Sequence, residues 1–227
     1  MIKYYKKIID DNGYTHSIDN VVCQYLISMN YKKATEKIEE IANDFKLGNK
    51  FYTILDRVPS VKYDFFVNHI HLDYIYIKLG CYKEKLLDEN GGKSSYEVLD
   101  YMSVEVNPNK HSNSDLFKKF FDFVKSVECG SSWIKRVDYA VDVPVKISDV
   151  IPCNTRKEKG LYKGTVYYGQ RQKNGFVRIY DKAKESDIDT PLTRIETVVK
   201  FGKKDKFSSI DFGVVGSGSV VPDEKLT

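Results

Sequence analysis

Long hydrophobic runs are missing from this chain. No apolar stretch approaches the ~18 residues that a transmembrane helix needs, so no membrane span is expected. The start, Met1-Ile2-Lys3-Tyr4-Tyr5-Lys6-Lys7, is basic but has no apolar segment behind it, which does not fit a signal peptide. Cysteine is scarce. Cys23, Cys81, Cys129 and Cys153 lie far apart with no C-x-x-C, which supports neither a disulfide framework nor a thiolate zinc site. Reduced thiols and a cytoplasmic location are the expectation. G-x-G-x-x-G, the P-loop and regular βαβ alternation are also absent, which argues against a doubly wound nucleotide-binding fold. Charge of either sign is not in large excess: 36 Lys and Arg face 32 Asp and Glu, for a net charge of +4. That balance is compatible with nucleic acid but does not point to it.

What the chain does have is aromatic residues, 17 Tyr and 12 Phe, placed among cations. Such rings fill β-sheet cores, and they can also stack on unpaired bases. Residues 1–17 read as a peripheral arm with a turn at Asp10-Asp11-Asn12-Gly13. Alternation predicts strands over 18–27, 62–68, 71–80, 98–106, 134–143, 164–168, 175–182 and 192–201. Helical spacing predicts helices over 32–45 and 114–129, closed by Gly48 and Gly130. Residues 82–97 read as a polar connection and 202–227 as a loose tail. The order implies one α+β domain over 18–201, a mainly antiparallel sheet with helices packed on one face.

The chemistry centres on Gly175-Phe176-Val177-Arg178-Ile179-Tyr180-Asp181-Lys182. On a strand, Arg178, Tyr180 and Lys182 share a face, and two cations beside a phenol would favour its phenolate. Three other strands each turn a carboxylate away from an apolar set: Glu105, Asp138 with Asp142, and Glu196. Two readings stand open. Glu105, Asp138 and Glu196 could converge on one hard divalent ion, Mg²⁺ or Mn²⁺. Alternatively, the carboxylates pair with Arg136, Arg178 and Arg194 as cross-strand ion pairs.

Five segments occur in the order seen in the Rep_trans family, which comprises rolling-circle replication initiators of small plasmids and related relaxases of conjugative elements. They are Val104–Lys110, Arg136–Asp142, Thr165–Gly169, Phe176–Lys182 and Thr193–Glu196, within roughly residues 18–201. The resemblance implies a site-specific DNA nickase and strand transferase, with Tyr180 as nucleophile and Arg178 and Lys182 offsetting phosphate charge. It assigns metal binding to Glu105, Asp138 and Glu196, with Asp142 a further candidate. Origin DNA, supercoiled or single-stranded or extruded as a cruciform, would be the partner. Contacts to DNA fall to Arg136, Arg171, Lys173, Arg194 and Lys110. A host helicase and polymerase and a homodimer are further implied partners. Family members usually continue well past the R-I-E strand, so residues 202–227 stand for less than the family carries there.

His69-Ile70-His71 offers a rival, because it resembles the paired-histidine metal motif of the HUH endonucleases. Two histidines at i and i+2 on a strand share a face and can chelate one ion. A rival of another class is a non-catalytic DNA-binding regulator using the same basic and aromatic sheet.

Overall fold

A computed structural model of the chain describes residues 8–56, 64–87, 93–108, 110, 114–130, 132–150, 158–171 and 173–201. In chain order the elements are β1 (Ile8–Ile9), β2 (Thr15–Leu26), α1 (Tyr31–Asp44), β3 (Phe51–Asp56), β4 (Asp64–Leu72), β5 (Ile75–Leu87) and β6 (Lys93–Val106). Then follow α2 (Ser114–Val127), β7 (Trp133–Val143), β8 (Glu158–Tyr162), β9 (Thr165–Tyr168), β10 (Phe176–Asp181), α3 (Lys182–Ser186) and β11 (Thr193–Lys200). The fold is α+β with antiparallel pairing, as the sequence pattern implies. The chain divides into two compact units, Val21–Lys135 and Met1–Asn20 with Arg136–Thr227.

In the Val21–Lys135 unit the strand order is β3-β4-β5-β6, followed by the Val21–Leu26 part of β2. Ile70, Leu72, Ile77, Leu79, Met102 and Val104 are buried on one sheet face. Helix α1 packs on β5 and β6 and against α2. It does so because Ala34, Ile38, Ile41 and Ala42 recur at helical spacing and are all buried. Asn30 starts it, its side chain accepting the Lys32 N–H at 2.9 Å. Phe120 and Val124 carry the apolar stripe of α2 inward.

Three sequence expectations change here. The β4–β5 hairpin turns at Asp73-Tyr74, not within His69-Ile70, and Asp73 takes the positive φ of 55° that such a turn requires. Leu72 therefore pairs with Ile75 on the buried face, while Tyr76 and Lys78 join His71 and His69 on the other. The stretch read as a polar connection is strand at both ends, since β5 runs to Leu87 and β6 starts at Lys93. Asn90-Gly91-Gly92, a turn signal in the sequence, lies outside the described residues. Strand β3 was not anticipated, although Phe51–Asp56 has the β-branched and aromatic content of a short strand.

The other unit has the strand order β7-β11-β10-β9-β8. The arm is not loose where it is described. Ile8 and Ile9 pair with His16 and Thr15 around a turn in which Gly13 has φ 79°. Asp10 accepts the N–H groups of Asn12 and Tyr14, each at 2.9 Å. Strand β8 and helix α3 were also unanticipated. Residues 1–7 and the tail from 202 lie outside the described residues.

Candidate active site

Register builds the site, which lies wholly within the unit that holds β7, β10 and β11. Arg178 sits opposite Glu196 and Tyr180 opposite Arg194, while β7 places Ala140 beside Glu196 and Asp142 beside Arg194. Paired residues of antiparallel strands share a face, so Arg178, Tyr180, Arg194, Glu196 and Asp142 lie together. Tyr167, opposite Arg178 on β9, belongs to the same face and stacks with Phe176 at 6.0 Å between ring centroids. Tyr168 pairs with Val177 on the other face and is buried.

Glu196 is 3% exposed, and both of its oxygens are engaged. Tyr180 donates its hydroxyl hydrogen to Oε1 at 2.6 Å, and Arg178 holds Oε2 through Nε and Nη2. The Arg178 side chain is itself 47% exposed, and its guanidinium carbon lies 6.0 Å from the centre of the Tyr180 ring. Beside this group, Arg194 grips Asp142 with two parallel bonds, Nε to Oδ1 at 2.5 Å and Nη2 to Oδ2 at 2.6 Å. Its third nitrogen, Nη1, donates to Asp19 Oδ2 at 2.8 Å. Charges this deeply buried persist because they are paired and forked.

The tyrosine's electrostatics differ from the sequence expectation. Burial, then the hydrogen bond and charge of Glu196, push the Tyr180 phenol well above its ordinary value. The two expected cations do not act on it as the pattern implied. Arg178 is neutralised by Glu196, and Lys182 has left the strand to open α3, where it pairs with Glu185. Asp181 ends the strand because its side chain caps α3, accepting the Lys184 N–H at 2.9 Å. The resting tyrosine is therefore a protonated hydroxyl aimed at a carboxylate.

The remaining candidates fall in several places. Arg136 pairs with its neighbour Asp138, Nε to Oδ1 at 2.9 Å and Nη2 to Oδ2 at 3.0 Å. Arg194 is expected from sequence to touch DNA, but here it is buried between Asp142 and Asp19. Arg171 and Lys173 stand exposed on the β9–β10 loop. That loop is bounded by Gly169 and Gly175, whose φ angles of 77° and 68° suit glycine. Glu105 and Lys110 belong to the Val21–Lys135 unit, Glu105 on β6 between Val22 and Tyr76, and Lys110 exposed after it. His69 and His71 are in that unit too. His69 Nδ1 meets the Tyr76 hydroxyl, and His71 stacks on Tyr52 with ring centroids 4.2 Å apart. Burial and the neighbouring His69 lower the His71 pKa.

Among the described residues no three His, Cys, Asp or Glu side chains come together as a metal-binding group. The arginine-paired Asp138, Asp142 and Glu196 do not fit a metal cage as they stand. Sequence reasoning also missed the Asp19 contact to Arg194 and the His16 contacts to Asp10 and Tyr139. The contacts to Arg194 and Tyr139 have no local signal, since each joins residues more than a hundred positions apart, whereas the His16–Asp10 bond is local.

No family model matches the chain, and no curated protein does. Among solved structures, a rolling circle replication initiator protein from Geobacillus stearothermophilus is similar at 17% identity, over 83% of this chain and 75% of that one. The TM-score is 0.37, too low for that likeness to carry an argument.

Proposed function

We propose that this protein is a replication initiator or relaxase that cuts one DNA strand at an origin, with Tyr180 as the nucleophile. One observation carries the reading: a tyrosine hydroxyl bonded to a buried carboxylate stands beside a half-exposed arginine held by that same carboxylate. The five ordered sequence segments support it independently. Nucleophile and acceptor lie within hydrogen-bond reach, which is the geometry of an activated hydroxyl.

In the reaction, Tyr180 Oη attacks the phosphorus and the bond to the 3′-oxygen breaks. The phenol gives up its proton and the departing 3′-oxygen takes one, leaving a 5′-phosphotyrosyl bond and a 3′-OH that can prime synthesis. Reversal by a 3′-OH reseals or transfers the strand. Arg178 faces solvent on one side and offsets charge on the phosphate. Arg171, Lys173, Arg136 and Lys110 are the candidate backbone contacts. Mg²⁺ or Mn²⁺, when bound, would polarise the phosphate, with Asp138, Asp142, Glu196 and Glu105 the residues the sequence resemblance nominates. Origin DNA, a helicase, a polymerase and a second copy of the chain remain partners within the proposal.

The test is covalent trapping. The protein is incubated with Mn²⁺ and labelled single-stranded or supercoiled DNA carrying the element's own origin, beside Tyr180→Phe. The expected result is a denaturation-resistant protein–DNA band from the parent protein and none from the variant. A band that survives in Tyr180→Phe but disappears when His69 and His71 are replaced selects the paired-histidine nickase. Salt-sensitive binding with no adduct from either protein selects the non-catalytic regulator.

A further inference from the structure

We infer that Glu196 is the positioning residue of Tyr180 and not a metal ligand. This rests on the reading of Tyr180 as the nucleophile.

A carboxylate has two oxygens to give, and Glu196 has given both. Oε1 accepts the Tyr180 hydroxyl at 2.6 Å and Oε2 takes the Arg178 guanidinium. With 3% exposure, it has little surface left from which to coordinate a further ion. The guanidinium beside it also repels a cation at that spot, while its exposed side suits an anion. Among the described residues no neighbouring carboxylate stands ready to complete a cage. Directly across β7 is Ala140, Asp142 is closed by Arg194, and Asp138 is closed by Arg136.

What this arrangement does supply is position. One side chain fixes the phenol oxygen on one side and the guanidinium on the other, so nucleophile and phosphate-facing cation are set by a single rigid link. A nucleophile misplaced by about 1 Å costs on the order of 100-fold in rate.

The experiment compares the parent protein with Glu196→Gln. An amide keeps an acceptor for the phenol but loses the charge that holds Arg178. Three quantities are read: the rate of covalent adduct formation at saturating single-stranded DNA, DNA affinity, and the Mn²⁺ concentration giving half-maximal rate. A fourth is Mn²⁺ binding without DNA, by electron paramagnetic resonance. We expect the adduct rate to fall by about 100-fold, with affinity, Mn²⁺ half-saturation and Mn²⁺ binding unchanged. A weakening of Mn²⁺ affinity by about 10-fold or more, at least what losing even an outer-shell partner of a metal costs, overturns the inference. So does a parent-like adduct rate.

A measurement that needs no catalysis separates the inference from the reading beneath it. Fluorotyrosine at position 180 is followed by ¹⁹F resonance. If Glu196 positions the ring, Glu196→Gln moves or broadens that signal even in a protein that forms no adduct, and then only the nucleophile reading fails. An unmoved signal overturns the positioning role itself.

Discussion

Tyr180 and Arg178 do not bond each other; they are tied through Glu196, which accepts from both. The first prediction follows from that shared partner. Arg178→Ala leaves a carboxylate at 3% exposure without its counter-ion. Losing one member of a fully buried pair costs about 3–5 kcal/mol. Arg178 is half-exposed, so solvent screening reduces the expected cost to about 1–3 kcal/mol. Urea unfolding measures it. Adding Glu196→Gln removes the stranded charge, so the double variant should recover part of the loss, with a coupling of about 1 kcal/mol. Strict additivity would mean that the pair contributes no mutual stabilisation.

Arg194 is a harsher case. It is 7% exposed and satisfies Asp142 and Asp19 together. Arg194→Met strands two carboxylates and should destabilise by about 3–5 kcal/mol. Arg194→Lys keeps the charge but not the fork, so its cost should be smaller though clear. Thermal and urea unfolding check both, and equal effects from the two would show that planar geometry is immaterial there.

How far the sequence foretold this site can be judged from its residues. Alternation correctly put Arg178 and Tyr180 on one face, because β10 is a regular strand through both. It failed at Lys182, since a short capping side chain, Asp181, ends the strand one residue earlier. That signal was legible, as Asp followed by Lys-Ala-Lys-Glu is a helix start. The choice between metal cage and ion pairs was not legible. It depends on which residues stand opposite one another, Arg178 with Glu196 and Arg194 with Asp142, and register is a property of the assembled sheet. The β4–β5 turn was misplaced for a local reason. Asp73 adopts the positive φ with Tyr74, not a glycine, after it, so the pair lacks the Asn-Gly or Asp-Gly mark of a tight hairpin turn.

Cysteine reactivity should divide by burial. Burial pushes the Cys23 thiol up to about 11, whereas Cys129 is exposed. At pH 8, a thiol at about 11 is roughly 0.1% thiolate, and the thiolate is the nucleophile. In the native protein iodoacetamide should modify Cys129 in minutes and spare Cys23 and Cys81, with all of them reacting in urea. Mass spectrometry of timed samples reads this directly, and early labelling at Cys23 would contradict the packing of β2.

Acid should loosen the β1–β2 hairpin before the rest of its unit. The Asp10 carboxyl is held below its ordinary 3.8, first by its hydrogen bond to His16 at 2.9 Å, with backbone bonds from Tyr14 and Asn12 adding to this. A depressed carboxyl contributes stability that is present above the unfolded value and lost as pH falls through the folded one. Protection of the Ile8 and Asp10 amides, which face β2, should therefore drop below about pH 3.8. Asp10→Asn should remove that step and lower protection at neutral pH. His16→Ala should lower neutral protection too, because Tyr139 and Asp10 both lose their common partner.

The last prediction concerns the loop that follows the β9 strand. Arg171 and Lys173 are exposed, and the loop's shape does not depend on them: Gly175 donates to Val198 at 2.7 Å and Asn174 accepts the Lys200 N–H at 3.0 Å. Replacing both with alanine should leave unfolding unchanged and weaken single-stranded DNA binding uniformly across sequences. Each lost phosphate contact should reduce the slope of log affinity against log salt by about 0.7. Two lost contacts then give a change of about 1.4, read by fluorescence anisotropy over a range of salt. The double Arg171→Ala and Lys173→Ala variant should still form the Tyr180 adduct when DNA is saturating, since neither side chain touches the phenol, Glu196 or Arg178. A variant that binds DNA normally would move the strand's path away from this loop. One that binds normally yet fails to form adduct would bring the loop into the chemistry itself.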